Sequence, residues 1–418
     1  MTNRRIEEYD LAVIGAGPAG MMAALRASEC GASVVLLEKN KTPGLKLSIT
    51  GKERCNITNV ETDVRKFSAN FGKNGRFLLS SLYHFGIDET INFFNKNNIK
   101  TTIERGGRIF PERDSAKDVL GLFLRLIKKN NITLLTGCRI KSISHQQSTI
   151  EKIILDGAEI KAINYLISTG GLSYPQTGST GEGYKWAKSM GHTIIKPQPA
   201  LTPILVKESW VKDLEGLSLK NVRISIYQNN KKKDDRFGEA LFTRAGLSGP
   251  IILDMSKSIG ILLLNGQTDL FIDFKPALDF KVLDKRVLRD LEKYKNKSLK
   301  NILSELIPKK LIRVVLELAK IDPEKDGNSI TKDERKRLLS LLKQFPFRVK
   351  RLYGFDKAII TTGGINLKEV DPKTMRSKIM KNLYFAGEIL DLDGPTGGYN
   401  LQVCWSTGYL AGESAARV

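Results

Sequence analysis

The sequence has little of the material from which disulfide frameworks and metal sites are built. Its 418 residues include only four cysteines and three histidines, which are Cys30, Cys55, Cys138, Cys404, His84, His145 and His192. The cysteines lie far apart with no Cys-x-x-Cys pair, so a disulfide-rich scaffold and a zinc site are not expected. No two histidines have ligand spacing, and metal catalysis is therefore not indicated. Reduced thiols fit a cytoplasmic protein.

Long apolar runs are absent as well. Runs such as Ile261 to Leu264 are far too short to cross a bilayer, which takes a helix of about 20 residues. The first residues, MTNRRIEEYD, contain no apolar signal stretch. We therefore expect no membrane segment and a cytoplasmic location. The hydrophobic fraction of 41% is ordinary for a globular protein, and the length favours two or three domains.

Acidic residues are too few to balance the basic ones. The formal net charge is +22, and residues 281–350 alone contain 20 lysines and arginines against 10 acidic residues. Such a surface attracts polyanions such as RNA. Aromatic residues, which offer stacking platforms for bases, are sparse among these cations. We interpret the charge mainly as solvated helix faces and keep an RNA partner as the alternative.

A glycine-rich turn follows the first predicted strand. Tyr9 to Ile14 is short and apolar, as a buried strand is, and it ends in the run GAGPAG at positions 15–20. Met21 to Cys30 has the composition of a helix, and Gly31 stands where a helix C-terminal glycine belongs. Ser33 to Glu38 is the next predicted strand. The order strand, glycine turn, helix, strand predicts a dinucleotide-binding unit.

Each glycine of this turn has a physical role in such a unit. Gly15 permits the tight turn, Gly17 lets the backbone approach a pyrophosphate, and Gly20 lets the helix pack closely on the strand. The phosphates then meet free N–H groups at the positive end of the helix dipole. Glu38, at the end of the second strand, is positioned to accept hydrogen bonds from ribose hydroxyls.

Two later segments favour FAD over NAD. The apolar run Tyr165 to Gly171 ends in Thr-Gly-Gly and follows a hairpin-like region, Ile140 to Ile163, that turns at Asp156-Gly157. Asn382 to Glu388 is a second apolar strand that ends in Ala-Gly-Glu. Both resemble elements of two-dinucleotide-binding-domain flavoproteins, in which the acid binds the ribityl or pyrophosphate portion and the following helix points towards the flavin.

The remaining motifs resemble one flavoprotein family. The stretch Gly44 to Asn59, GLKLSITGKERCNITN, is similar to the hallmark of the BaiN/YhiN-type bacterial flavoproteins, also labelled aminoacetone-oxidase-like. Further matches span the chain: GRIFP at 107–111, GEALFT at 238–243, GLSGP at 246–250, TTGGI at 361–365 and FAGEILDLDGPTGGYNLQ at 385–402. Family members commonly have Gly-Gly-Gly where this chain has Gly51-Lys52-Glu53, a departure that bears on the backbone path near the flavin.

The resemblance implies an α/β fold with a Rossmann-like FAD domain, an inserted β-barrel-like domain and a helical cap. It places the discontinuous FAD domain at 1–195 and 346–418, the β-rich insertion at 196–279 and the helical part at 280–345. The residue patterns agree, because strand-like runs occupy Pro203 to Phe274 and helical spacing dominates Phe280 to Phe345. Pro308 fits a helix start and Asp322-Pro323 a break between helices.

The glycine turn and the resemblance together predict a set of FAD-binding residues, with no catalytic residue and no metal ligand assigned. The set comprises Gly15, Gly17, Pro18, Ala19, Gly20, Glu38, Lys39, Lys46, Leu47, Gly51, Arg54, Cys55, Asn56, Ile140, Thr169, Gly170, Gly171, Gly387, Glu388, Gly397, Gly398, Tyr399, Asn400 and Leu401. Cys55, beside Arg54, could form a thiolate, but a packing role is the preferred interpretation. Asp391 and Asp393 are interpreted as loop caps rather than proton carriers.

The predicted function is an FAD-dependent oxidoreductase acting on a small metabolite, with hydride transfer carried by the flavin. The electron partner stays open between oxygen and a transient NAD(P)H donor, since no second GxGxxG unit appears. The alternative is an FAD-dependent protein that binds or modifies RNA through its basic surface.

Overall fold

The computed structural model describes residues 5–113 and 115–417. Its strands are β1 Arg5–Ile14, β2 Val34–Glu38, β3 Thr58–Asn59, β4 Thr101–Glu104, β5 Arg108–Pro111, β6 Thr133–Thr136, β7 Ile140–Gln146, β8 Thr149–Leu155, β9 Ala158–Ile167, β10 Ile194–Ala200, β11 Ile204–Val206, β12 Ser218–Gln228, β13 Lys231–Thr243, β14 Gly246–Ser248, β15 Asp269–Asp273, β16 Phe345–Leu352, β17 Ile360–Ile365 and β18 Leu383–Phe385.

The helices are α1 Pro18–Glu29, α2 Leu45–Ser48, α3 Val64–Ala69, α4 Leu79–His84, α5 Ile87–Lys96, α6 Ala116–Lys129, α7 Glu182–Ser189, α8 Pro250–Leu264, α9 Phe280–Lys293, α10 Leu299–Leu303, α11 Lys309–Ala319, α12 Lys332–Lys343 and α13 Tyr399–Ala416. These elements form two compact units, Met1–Pro199 with Ala358–Val418, and Ala200–Lys357. Each unit has its own buried apolar core.

The first unit is built on a seven-stranded sheet. Its order is β6-β2-β1-β9-β8-β7, and β18 pairs with the other edge of β9. The strands β6, β2, β1, β9 and β18 run parallel, while β7, β8 and β9 form an antiparallel meander. The parallel strands are apolar because both faces are covered; all five residues of β2 are buried. The predicted Rossmann-like α/β fold is confirmed, including the hairpin turn at Asp156-Gly157.

The helices α1 and α13 pack against each other at very short range. A Cβ atom added at Gly408 would lie 2.4 Å from the carbonyl oxygen of Ala19, and one added at Gly412 would lie 2.2 Å from that of Ala23. Only glycine permits this approach. Earlier in α13, the buried Trp405 indole donates to the carbonyl oxygen of Ile57 at 3.0 Å. The C-terminal helix is thereby fixed to the glycine-turn helix.

The second unit contains a closed barrel of six strands, in the order β11-β14-β13-β12-β15-β16. Strand-like runs are predicted for Pro203 to Phe274, which is wrong for α8, a 15-residue helix within that range. Its buried residues are Ile251, Ile252, Met255, Ser256 and Ile259, a helical spacing. A short apolar run is ambiguous between strand and buried helix, and Pro250 at the first helical position resolves it as a helix.

The helices α9 to α12 complete the second unit. As the helical spacing predicts, α9 to α12 lie between Phe280 and Lys343, with α11 beginning directly after Pro308 and a break at Asp322-Pro323 before α12. The predicted boundary between residues 345 and 346 falls inside β16, which pairs with β15 and β11 in the barrel. The division into three domains with the boundaries given above stays a prediction.

No helix in the described ranges 5–113 and 115–417 is both long enough and apolar enough to span a membrane. Within the same ranges, no three histidine, cysteine or acidic side chains gather into a group that could hold a metal ion.

A buried histidine joins two loops of the first unit. His192 follows α7, and its Nε2 lies 2.9 Å from the hydroxyl of Ser377, while its Nδ1 lies 3.3 Å from a carboxylate oxygen of Glu369. The ring meets Phe385 edge to face. Burial lowers the pKa of His192 below its ordinary value of 6.5, and Glu369 opposes this only in part.

The unfolding free energy should therefore fall as the pH drops through about 6.5, because the unfolded chain then binds a proton that the folded chain resists. The loss is complete once the pH lies below the folded-state pKa. Replacing His192→Gln should remove this part of the pH dependence, whereas the exposed His145→Gln should retain it. Urea unfolding at about pH 7.5 and about pH 5.5 measures both. An equal pH dependence in wild type and His192→Gln would contradict the assignment.

Candidate functional site

The glycine turn lies between β1 and α1. Gly15 and Gly20 pack closely against protein atoms, whereas Gly17 faces open space. A Cβ at Gly15, whose φ is +103°, would lie 2.8 Å from the carbonyl oxygen of Ser168. A Cβ at Gly20 would lie 1.9 Å from the carbonyl oxygen of Gly15. Around Gly17, by contrast, no atom of the described residues lies within 4 Å of the added Cβ. The backbone at Gly17 is therefore open to a ligand, with Pro18 and Ala19 starting the helix beside it.

The acid at the end of β2 is held by backbone amides. The two carboxylate oxygens of Glu38 accept from Ala16 N at 3.0 Å and from Asn40 N at 2.9 Å. Each oxygen keeps a further lone pair, which can accept from hydroxyl groups. The neighbouring Lys39 pairs with Glu182 at 2.5 Å. Cys138 N donates to the carbonyl oxygen of Glu38, so Ile140, two residues further at the start of β7, lies at this end of the site.

Glu388 connects four separate segments of the chain. One carboxylate oxygen lies 2.6 Å from Lys46 Nζ; the other accepts from Ser173 Oγ at 2.9 Å and from Thr361 N at 2.8 Å. Lys46 also lies 2.5 Å from Ser173 Oγ. Only 22% of the Lys46 side chain and 16% of the Glu388 side chain are exposed. The ion pair is therefore largely desolvated, and losing either partner would leave a poorly solvated charge.

The Thr-Gly-Gly segment after β9 runs beside Glu388. A Cβ at Gly171 would lie 2.4 Å from the hydroxyl oxygen of Thr361, and one at Gly170 would lie 3.9 Å from a carboxylate oxygen of Glu388. The hydroxyl of Thr169 is buried and has no hydrogen-bond partner among the described residues. Gly387 N donates to Thr407 Oγ1 at 2.9 Å, which ties this segment to α13.

The loop at 51–56 has an unusual backbone. Lys52, Glu53 and Cys55 have φ values of +57°, +66° and +59°, and Gly51 has +59°. The region with positive φ favours glycine, and the resembling family commonly has glycine at 52 and 53. The departure in sequence therefore places non-glycine residues on a backbone with positive φ, where they are strained.

Arg54 does not point freely into the site. Its guanidinium group lies 2.5 Å from a carboxylate oxygen of Glu104 and 4.5 Å from the ring centre of Phe110. About half of the Arg54 side chain is exposed. These contacts fasten the 51–56 loop to the strands β4 and β5. Leu47, which lies in α2 before this loop, is fully buried in the core.

Cys55 and Cys404 are both protected thiols. Cys55 has no exposed surface, and burial raises its pKa to about 12, despite a side-chain hydrogen bond with Thr50. Burial likewise raises the pKa of Cys404 to about 12. Neither side chain forms a thiolate near neutral pH, which supports the packing interpretation of Cys55.

Side chains of the segment 56–59 form hydrogen bonds with the residues just before α13. With its amide oriented to donate to the carbonyl oxygens of Thr58 and Ile109, Asn56 accepts from Gly398 N at 2.9 Å. Asn59 Nδ2 donates to the carbonyl oxygen of Gly397 at 3.0 Å. The ring of Tyr399 lies 4.7 Å from that of Phe67.

Asn400 and Leu401, the next two residues of α13, also fix the position of the helix start. Asn400 Oδ1 accepts from Gly394 N at 2.8 Å. Leu401 packs against the core. The first-turn amides of a helix have no acceptor within the helix, so this helix start is a suitable place for negative charge on a ligand.

The structure thus brings the turn at 15–20, Glu38, the 169–171 segment, Glu388 and the start of α13 into one unit. The sequence patterns assign no individual role to Ser173, Thr361 and Asn59, although Ser173 lies just after the Thr-Gly-Gly segment, Thr361 begins TTGGI and Asn59 ends the stretch 44–59. Asp391 and Asp393 have side-chain partners: Asn74 donates to Asp391, and Thr362 donates to Asp393. These contacts agree with a capping role.

The donor set suits a dinucleotide with a ribityl or ribose chain. The open backbone at Gly17 can admit a pyrophosphate, the spare lone pairs of Glu38 can accept ribose hydroxyls, and the partnerless hydroxyl of Thr169 lies in the same unit. The residues present therefore fit FAD.

Comparison with known proteins gives the class and then the family. The chain matches the family profile described as HI0933-like protein Rossmann domain over residues 9–414. It is 32% identical over 409 residues to the 3-dehydro-bile acid delta(4,6)-reductase of Clostridium scindens, covering 97% of this chain and 98% of the relative. It is 29% identical over 409 residues to the ribosomal RNA dihydrouridine synthase of Escherichia coli, covering 98% of each.

Two solved structures share the fold. A flavocytochrome c3 fumarate reductase in an open conformation aligns with a TM-score of 0.53 and 16% identity over 98% of this chain and 78% of its own. A 3-ketosteroid delta1-dehydrogenase from Sterolibacterium denitrificans aligns with a TM-score of 0.54 and 13% identity over 98% of this chain and 99% of its own.

The protein is an FAD-dependent oxidoreductase with a Rossmann-like FAD domain. Within that class, the chain belongs to the HI0933-like family, and the resemblance to the BaiN/YhiN-type flavoproteins is confirmed.

The strained loop yields a stability prediction. Replacing Glu53→Gly should raise the free energy of unfolding by about 0.5–1 kcal/mol, because the relief of positive φ exceeds the entropy that glycine adds to the unfolded chain. Replacing Thr62→Gly, an exposed position nearby without positive φ, should lower it. Urea denaturation of both variants measures the difference. A destabilised Glu53→Gly would show that the side chain contributes more than the backbone strain costs.

Proposed function

We propose that the turn at Gly15 to Gly20 binds the pyrophosphate of FAD. The most direct support is the space beside Gly17: a Cβ atom added there would meet no protein atom, whereas one added at Gly15 or Gly20 would clash with the backbone. The carboxylate of Glu38 would accept the adenosine ribose hydroxyls. Lys46 and Glu388 would bind near the ribityl chain as a pair, with Ser173 and Thr361 holding the carboxylate in position.

The reaction we propose is reduction of a carbon–carbon double bond next to a carbonyl group. The names of the two relatives describe such a change, at a delta(4,6)-unsaturated 3-oxo bile acid in one and at the uracil ring of uridine in the other. Bound FAD supplies hydride transfer. The chain's own residues orient the cofactor, exclude water and supply fixed dipoles, including the start of α13.

The protein side chains limit which proton donors are available. Cys55 and Cys404 keep their protons near neutral pH, because burial raises both pKa values. Proton delivery to the substrate therefore falls to a group other than these two thiols.

We propose a small unsaturated carbonyl metabolite as the substrate and the cytoplasm as the location. The relative with the higher identity of the two acts, by its name, on a bile acid derivative. A uridine in RNA is the second candidate, favoured by the net charge of +22 and by the name of the Escherichia coli relative.

An anaerobic assay separates these substrates. The purified FAD-loaded protein is reduced with NADH or NADPH while the visible flavin band is followed, and a small enone or a uridine-containing RNA fragment is then added. Reoxidation by the enone with a saturated product supports the proposal. Reoxidation only by the RNA, with dihydrouridine in the product and strong salt dependence, selects the second candidate. A reduced flavin that only oxygen reoxidises contradicts both.

The pyrophosphate assignment has its own test. Replacing Gly17→Ala should not lower the unfolding free energy of the FAD-free protein, because the added methyl group meets no protein atom and alanine loses less backbone entropy on folding than glycine. The same methyl group should weaken FAD binding by about ten-fold or more, since it occupies the space of the pyrophosphate. Replacing Gly121→Ala, in the middle of α6, is the matched control. Fluorescence titration with FAD measures both, and an unchanged FAD affinity in Gly17→Ala would remove the assignment.

A further inference from the structure

Tyr184 is a buried tyrosine whose hydroxyl group has no hydrogen-bond partner among the described residues. It lies in α7, and only 6% of its surface is exposed. A tyrosine hydroxyl can both donate and accept, and in folded proteins a buried one usually has a partner. Leaving such a group unpaired destabilises the folded chain. The Tyr184 hydroxyl therefore calls for a partner that the chain itself does not supply.

The ring of Tyr184 lies beside the segment that follows Thr-Gly-Gly. A Cβ atom added at Gly181 would lie 3.5 Å from the Tyr184 ring and 2.6 Å from the Leu172 side chain, so the three residues are neighbours. Leu172 N donates to Thr361 Oγ1 at 2.8 Å, and Thr361 N in turn donates to Glu388 at 2.8 Å. The ring is therefore packed against the segments that Glu388 holds together.

A second unpaired hydroxyl lies against the residue before Tyr184. A Cβ atom added at Gly183 would lie 2.2 Å from the hydroxyl oxygen of Thr169 and 2.7 Å from Cδ1 of Ile389. The Thr169 hydroxyl is buried and also has no partner among the described residues. Ile389 directly follows Glu388 in the sequence. Two unpaired hydroxyls, from β9's end and from α7, thus lie close to the same carboxylate.

The surroundings keep the Tyr184 hydroxyl protonated. Burial raises the pKa of Tyr184 above its ordinary value of 10, and the negative charges of Glu388 and Asp391 raise it further. The O–H group therefore stays a donor at neutral pH. Neither carboxylate lies within hydrogen-bond distance of it, so the donor is still free.

We propose that the Tyr184 hydroxyl forms a hydrogen bond with the ribityl chain of bound FAD, next to the hydroxyl of Thr169. This inference rests on the FAD site proposed above. There, Glu38 takes the adenosine ribose and the turn at 15–20 takes the pyrophosphate, which leaves the ribityl chain for the surroundings of Glu388. The hydroxyl groups of a ribityl chain both donate and accept, and can complete the two unpaired hydroxyls of the protein.

The test replaces Tyr184→Phe in the full-length protein, which removes only the hydroxyl oxygen. In the FAD-free protein the urea midpoint should stay equal or rise, because no hydrogen bond is lost. FAD binding, followed by fluorescence titration, should weaken by about five-fold or more. The affinity for ADP, measured by competition, should change by less than about two-fold, because ADP contains the adenosine and the pyrophosphate but no ribityl chain.

The matched control is Tyr165→Phe, the same change at a buried tyrosine whose hydroxyl is paired within the protein. Tyr165 Oη donates to the carbonyl oxygen of Glu151 at 3.0 Å and accepts from Ala162 N at 2.9 Å. Its removal leaves both backbone groups unpaired, so the urea midpoint of the FAD-free protein should fall. The FAD affinity of Tyr165→Phe should stay within about two-fold of wild type.

Three results would overturn the assignment of Tyr184. They are an unchanged FAD affinity in Tyr184→Phe, as an ordered water partner would give; a lowered urea midpoint of FAD-free Tyr184→Phe; and equal losses of FAD and ADP affinity. A wild-type protein that binds no FAD would instead contradict the proposed function itself, so the two failures are distinguishable.

Discussion

The carboxylate of Glu388 is the junction on which the cofactor site depends. Its partners, Lys46, Ser173 and Thr361, come from three other segments of the chain. Together they hold α2, the segment after Thr-Gly-Gly and β17 against the residues that follow β18. Because the Lys46 and Glu388 side chains are both mostly buried, each charge relies on the other and on the neighbouring donors for stabilisation. The geometry of the site follows from satisfying that one carboxylate.

The second constraint is close backbone approach. The turn after β1 packs against the segment after β9, and α13 crosses α1 at glycines where a side chain would meet carbonyl oxygens. Such contacts leave no room for adjustment, since protein interiors are close-packed. The strained loop at 51–56 belongs to the same design, because its positive φ values let Asn56 reach the start of α13 while Arg54 holds β4 and β5. Strain of this kind persists where surrounding contacts determine the backbone.

Local sequence patterns predicted elements well where one physical requirement dominates. The turn at 15–20, the helix after it and the break at Asp322-Pro323 follow from steric and hydrogen-bonding rules that act over a few residues. The same reasoning missed α8, because a short apolar run is compatible with both strand and buried helix. It also placed a domain boundary between residues 345 and 346, inside β16, since pairing with β15 and β11 leaves no mark in the strand itself. Ser173 and Thr361 escaped notice because a hydroxyl or an amide gains its role only from what the fold places opposite it.

The sequence by itself determined the class of cofactor unit, because glycine positions, strand and helix periodicity and an acid at a strand end are local and have few other uses. It also determined the surplus of positive charge. The tertiary structure decided which charged side chains form ion pairs and with which partners. Lys46 meets Glu388 and Arg54 meets Glu104 across long stretches of sequence. Pairing between distant charges depends on distance and burial, and both quantities exist only once the chain has folded.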